Sequence, residues 1–266
     1  MARKQTYRQR FTNNIIEAGG AAPEKKERVP RPPVDPAVQE TYLEGKAILI
    51  DKPLHWTSFD MVRKLRSLLQ IKKIGHAGTL DPLATGLLIV CTGKFTKKIN
   101  EFMAAEKEYT GTITLGAVTP TYDLESKPEQ QKDFSSVTAE AIHNTTKQFT
   151  GEIDQYPPIY SAIKKDGVAL YELARRGVDV KLEARKITVH SFEITAIELP
   201  VITFKVVCSS GTYIRSLAND FGAALGCGGY LSSLRRTKIG DYSVEDAVSA
   251  EALEQLLNPG YPSLEK

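Results

Sequence analysis

Residues 75–86 read GHAGTLDPLATG and run directly into the apolar LLIV of residues 87–90. Three glycines, Pro82 and one acidic residue, Asp81, make this a shaped loop that opens onto a strand. Glycine lets a backbone take positive φ or approach a ligand closely, and a residue before proline is held away from helical geometry. Asp81 therefore offers its carboxylate from a rigid turn, and a carboxylate so placed can serve as a nucleophile. By residue type alone, an Asx-turn satisfying local backbone donors accounts for the same aspartate.

Two generic motifs overlap this stretch and both are weak. GHAG fits the G-x-x-G clamp of KH domains, and the later TGK resembles the tail of a phosphate-binding loop. Gly86 lies seven residues before Gly93 where a P-loop requires five, and Phe95 follows Lys94 where a magnesium-binding hydroxyl belongs. A nucleotide-dependent transferase is the rival class that this spacing disfavours.

Working outward, KAILIDKP (46–53) reads as a short buried strand stopped by Pro53. WTSFDMVRKLRSLLQ (56–70) has helical apolar spacing, with Thr57 or Ser58 as its cap. EYTGTITLGAVTP (108–120) alternates as a strand, TAEAIHNTTKQFTG (138–151) reads as a capped helix, and residues 186–198 and 201–214 read as two long β segments. IRSLANDFGAALG (214–226) is helical with a terminal glycine, and VEDAVSAEALEQLL (244–257) holds a short final helix. The sum is a large sheet decorated by helices.

The bulk composition is that of an ordinary globular chain of 266 residues, 41% hydrophobic and 25% charged. Cys91, Cys208 and Cys227 are too scattered for a metal knuckle or a disulfide framework, which suits a reducing, cytoplasmic setting. No stretch approaches the ~18 apolar residues of a membrane span. Residues 1–31 carry eight Lys or Arg against three acids, so the other 235 residues sum to −2 within the total of +3. Residues 1–41 therefore read as a basic, Pro- and Ala-rich tail, either a solvated linker or an electrostatic tether to RNA phosphates, with ordered structure beginning near Gly45.

The chain resembles the TruB family of pseudouridine synthases along six ordered segments. They are LIDKPLHWTS (49–58), GHAGTLDPLATG (75–86), KEYTGTITLGAVTPTYDLE (107–125), GEIDQYPPIYSAIKKDGVALYELARRG (151–177), CSSGTYIRSLANDFG (208–222) and YLSSLRRTKIG (230–240). The resemblance implies an α+β (mixed α/β) fold with a long, largely antiparallel sheet, its active site in a cleft across it. It implies a tRNA pseudouridine(55) synthase, an isomerase acting on the T-loop uridine without a cofactor. The alternative is a non-catalytic RNA-binding or tRNA-folding module on the same scaffold.

By the same resemblance Asp81 is the catalytic aspartate that attacks the sugar C1′, and Arg215, in GTYIR, pairs with that carboxylate and aims it. Tyr109, in KEYTG, lies against the target base and takes the proton lost during isomerisation. A stacked uridine must be flipped into such a pocket, and His76 matches the residue that occupies the gap. Lys52 supports the active-site loop, Leu234 forms an apolar wall near the base, and Tyr213 joins the substrate-binding set. Residues 154–177 resemble a thumb-like insertion that closes over the RNA arm. It carries Tyr156, Tyr160 and Tyr171 for stacking and Lys164, Lys165, Arg175 and Arg176 for phosphates.

Two departures stand out. His55 replaces the glycine usual in the family's KP-x-G-x-T-S motif, which bears on the turn before Trp56. Only 26 residues follow Gly240, fewer than the ~40 needed for independent folding, so no RNA-binding PUA module is expected. The catalytic domain then spans 45–243, followed by a short helix and tail at 244–266. The expected partner is the T arm of tRNA, bound by a monomer.

Overall fold

The computed structural model describes residues 33–161, 164–165, 167–170, 172, 178 and 182–257. Arg175, Arg176, Tyr171 and the basic stretch 1–32 lie outside the described residues.

Strand β1 (Ala47–Lys52) turns Ile48, Ile50 and Lys52 inward, as its period of two dictates. It pairs antiparallel with β3 (Ala84–Thr92), which also carries the short β2 (Ile74–His76). On its other side β3 pairs parallel with β10 (Gly229–Ile239). From β10 the sheet continues antiparallel through β4 (Lys107–Leu115), β9 (Val201–Cys208), β8 (Arg185–Glu198) and β5 (Gly151–Gln155). The hairpin strand β11 (Tyr242–Ser243) folds back on β10. Among the described strands β3–β10 is the parallel ladder in an otherwise antiparallel sheet. A separate small hairpin joins β6 (Lys164–Lys165) to β7 (Val168–Ala169).

Apolar layers explain why β3 is an unbroken hydrophobic run and β4 an alternating one. Leu88 and Val90 of β3 pack with Ile48, Ile50 and the helix α2 (Ser58–Leu69), which contributes Met61, Leu65, Leu68 and Leu69. Leu87, Ile89 and Cys91 face the opposite way into a cluster with Ile239, Val244 and Phe102. Both faces of β3 are covered, the usual condition for continuous burial. In β4, only Tyr109, Ile113, Leu115 and their in-register neighbours face the core, against α5 (Ile214–Ala224) through Leu217 and Phe221. Helices α3 (Ile99–Ala104) and α4 (Ala139–Thr146) complete this framework.

Helix α2 begins as its sequence requires. The Thr57 side chain accepts from the Asp60 amide, and the Asp60 carboxylate accepts from the Thr57 amide, a reciprocal capping box. The final helix, α6 (Ala250–Leu257), docks on α2 through Leu253 and a 2.6 Å Lys64–Glu254 ion pair.

One sequence expectation is corrected. Regular structure begins not near Gly45 but with α1 (Pro36–Glu44), where Asp35 caps the helix by accepting from the Ala37 amide. Asp35-Pro36 is a cap followed by a proline at the first helical position, a signal hidden in the Pro-rich composition before it. Strand β10, for whose YLSSLRRTKI the sequence offered no element, lies between β3 and β4 within the sheet.

Candidate active site

The loop between β2 and β3 is held at several points. The Leu80 amide donates to Ser58 Oγ (2.8 Å) at the start of α2, and the Pro82 carbonyl accepts from the His55 amide (2.8 Å). The Asp81 carbonyl accepts from Ala84 and closes the turn. Gly86 has φ +100°, and a Cβ there would sit 2.3 Å from the Arg236 carbonyl oxygen, so no other residue fits. His55 keeps a left-handed backbone, φ +63°. The turn before Trp56 thus retains a glycine-like geometry with a histidine in place, at a steric cost of ~1 kcal/mol.

Lys52 lies fully buried beneath that turn, its ammonium donating to the carbonyls of Pro53 (2.9 Å) and Trp56 (2.7 Å). Burial brings its pKa down to about 8, while the nearby Asp81 carboxylate works in the opposite direction. Its position supports the loop from below; it does not face the pocket.

Asp81 stands at the pocket mouth, with 38% of its side chain exposed, and its Oδ2 lies 2.9 Å from Nε of the nearly buried Arg215. The approach of Nε is outside hydrogen-bond geometry, so this is a contact of charges. The remaining guanidinium nitrogens are fixed elsewhere, Nη1 to the Thr121 carbonyl (3.1 Å) and Nη2 to the Tyr160 carbonyl (3.0 Å). A second carboxylate, Asp123, sits 3.7 Å from the same Nε and is buried. Burial raises its pKa, opposed by a Thr121 hydrogen bond, the Arg215 charge and the Glu125 amide. One guanidinium thus serves two carboxylates, of which Asp81 is the one exposed to solvent.

A small, open pocket is lined by Asp81, Leu83, Asp123, Arg215, Ser232 and Leu234, among others. Asp81, Arg215 and Leu234 therefore share one cavity. Tyr109 lies buried within the core cluster that includes Leu80 and Ala84. Its phenol pKa is raised by burial and moderated by Arg236. His76 ends β2 half-buried. Burial, followed by the Arg236 charge, lowers its pKa and favours the neutral ring.

The other residues surround this centre. Tyr213 precedes α5 and is tied to Gln155 in both directions, its amide donating at 2.8 Å and its carbonyl accepting at 3.0 Å. Tyr160 meets Arg215 through its backbone carbonyl. Lys164 lies in the β6–β7 hairpin. Arg175 lies outside the described residues.

Sequence reasoning missed Asp123 and Arg236. Asp123 stands in TYDLE, a turn by composition, and only the fold brings it to Arg215. Arg236 looks like a second surface arginine beside Arg235, but the strand's alternation sends them to opposite faces. Arg235 forms a bidentate pair with Asp51 (2.9 and 2.8 Å), whereas Arg236 is 1% exposed. Among the described residues no group of three His, Cys, Asp or Glu could hold a metal ion.

Comparison with known proteins agrees with this architecture. The family model for the TruB family pseudouridylate synthase N-terminal domain matches residues 66–214, and that for the tRNA pseudouridylate synthase B C-terminal domain matches 215–260. The tRNA pseudouridine synthase B of Flavobacterium johnsoniae is 60% identical over 82% of this chain and 98% of its own length. That of Phocaeicola vulgatus is 47% identical over 82% of this chain and 95% of its own. Among solved structures, a Cbf5-Nop10-Gar1 complex superimposes with a TM-score of 0.64 at 28% identity, over 84% of this chain. The present chain spans 59% of that protein's length. The fold is thus that of the pseudouridine synthases, and the enzyme class is isomerase. Within that class the chain belongs to the TruB family of pseudouridylate synthases.

Proposed function

We propose that the chain converts the T-loop uridine of tRNA, position 55, to pseudouridine, with Asp81 as nucleophile. The observation that carries this reading is the partly exposed Asp81 carboxylate, 2.9 Å from a guanidinium locked by two backbone carbonyls, in a pocket that Leu234 also lines. The flipped uridine presents C1′ to Asp81, and the C1′–N1 bond breaks with its electrons leaving on the uracil ring. Asp81 captures C1′; the uracil turns, C5 attacks C1′, and the carboxylate leaves. The C5 proton then passes to Tyr109 as its phenol gives its own proton to N1. Leu234 walls the pocket beside the base and neutral His76 stacks where the base has left. Residues 45–243 act as the catalytic domain, with 154–177 closing on the T arm. The enzyme works as a cytoplasmic monomer, a setting that suits its three free, buried cysteines.

The test is release of tritium from a tRNA transcript labelled at uridine C5. About one equivalent should be released by the native protein, and none by Asp81→Asn or from a transcript lacking the T-loop uridine. Tight tRNA binding without release by the native protein would instead favour a non-catalytic RNA-binding module.

A further inference from the structure

Arg236 lies on the interior strand β10 and is the largest of the fully buried side chains. Among the described residues no carboxylate pairs with it. Its Nε donates to the Leu87 carbonyl (2.8 Å) and its Nη2 to the Gly78 carbonyl (3.2 Å). Gly78 and Leu87 are the two ends of the segment that carries Asp81, so one side chain closes the neck of the loop. The backbone of Arg236 grips the same segment, for it pairs with Gly86, the position where only glycine fits. Across the sheet Arg236 stands opposite Tyr109 in register, and both side chains are buried.

An uncompensated buried cation is costly, and packing alone would be served as well by methionine or leucine. The guanidinium has rigid forked donors that can bind several acceptors in fixed directions. Here the acceptors are both ends of the nucleophile's loop, and the tyrosine stands directly across the ladder. From this geometry we infer that Arg236 is a positioning residue for the isomerisation. It sets the Asp81 loop and the Tyr109 phenol in one frame without touching the substrate. The inference rests on the roles proposed above for Asp81 and Tyr109.

The experiment measures single-turnover tritium release and tRNA affinity for the native protein, Arg236→Met, Arg236→Lys and Tyr109→Phe, and for Arg236→Met combined with Tyr109→Phe. A displacement of the loop by about 1 Å corresponds to a rate loss of ~10²-fold. Arg236→Met should lose about that much, with tRNA affinity within about threefold of native. Arg236→Lys, which keeps the charge but not the fork, should recover part of the rate. In the Tyr109→Phe background the further loss from Arg236→Met should shrink, because residues that act as a unit are not additive. Full additivity, or rate losses that merely follow a fall in folded fraction, would reduce Arg236 to a packing residue and overturn the inference. If Arg236→Met does not fold, Arg236→Lys decides. A slow variant with native melting temperature and affinity supports the inference, and a native rate overturns it. A native protein silent on T-arm RNA would remove the underlying reading as well, which separates the two failures.

Discussion

The two ends of the sheet handle charge in opposite ways. At the β5–β8 edge, Lys186 meets Glu152 at 2.9 Å with about two thirds of each side chain in water. At the β1–β3–β10 end, Lys52 and Arg236 are fully buried and hydrogen-bond backbone carbonyls, while Arg215 is held between Asp81 and Asp123. Exposed pairs add little to stability, and buried charges subtract from it unless well paired. The difference shows where the fold accepts unfavourable desolvation: around the segment that carries Asp81, and not at the far edge.

Arg215→Met should break this contrast most severely. It strands the buried Asp123 and leaves Asp81 unaimed. Loss of one partner of a buried pair costs about 3–5 kcal/mol, and loss of a preorganised charge partner lowers rates ~10²–10³-fold. Denaturant unfolding and single-turnover tritium release measure the two effects. A variant with native stability would show that these charges are not costly to uncouple.

Asp123→Asn keeps the shape and removes one charge. Hydrogen bonds and contacts to charged groups are worth about 1.5–3 kcal/mol, so the rate should fall ~10–100-fold, with Asp81 itself intact. The pH dependence has a definite sign. The folded-state pKa of Asp123 is raised, chiefly by burial, so its ionisation disfavours the folded state. Wild type therefore loses stability as pH rises from about 4, the unfolded aspartate value, through the raised folded value. Over that window the stability of Asp123→Asn relative to wild type should improve with pH; a flat difference would contradict the raised pKa.

How far these features could be read from sequence depends on the range of the interactions behind them. The loop 75–86 was legible because glycine and proline act locally on the backbone, and α2 was legible because its Thr57 cap and apolar spacing are local too. β10 was not. Its serines and arginines suggest a solvated segment, and bulges between Leu231 and Ser233 and between Arg236 and Lys238 break the alternation. Arg236 is tolerated inside only because carbonyls from β3 and its loop meet it. Asp123 likewise acquires its role from Arg215, a partner on a distant helix. The departure at His55 was visible in sequence, but its harmlessness to the turn was not, since only coordinates show the retained left-handed backbone.

Lys52→Met probes the interior side of the contrast through pH. The folded pKa of about 8 lies below the ordinary lysine value, mainly through burial. The unfolded state therefore binds the proton more tightly, and the charged lysine penalises folding at neutral pH. That penalty disappears as pH rises from about 8 to about 10.4. Wild-type stability relative to Lys52→Met should accordingly climb across this interval, by on the order of 1–3 kcal/mol. Chemical denaturation at pH 7.5 and pH 10 measures it, and a relative stability that falls with pH would contradict the assignment.

Lys186→Ala is the smallest perturbation and tests the other side. Lys186 faces Glu152 and, at 3.9 Å, Asp154. Both partners are solvated, and mobile ions screen the attraction within a Debye length of ~8 Å at physiological salt. The melting temperature should stay within measurement error of wild type, any small difference should vanish at high salt, and single-turnover release should be unchanged. A rate loss that is steep in salt would instead mean that this edge meets the RNA backbone. The two ends of the sheet would then differ in which partner their charges serve, protein at one and nucleic acid at the other.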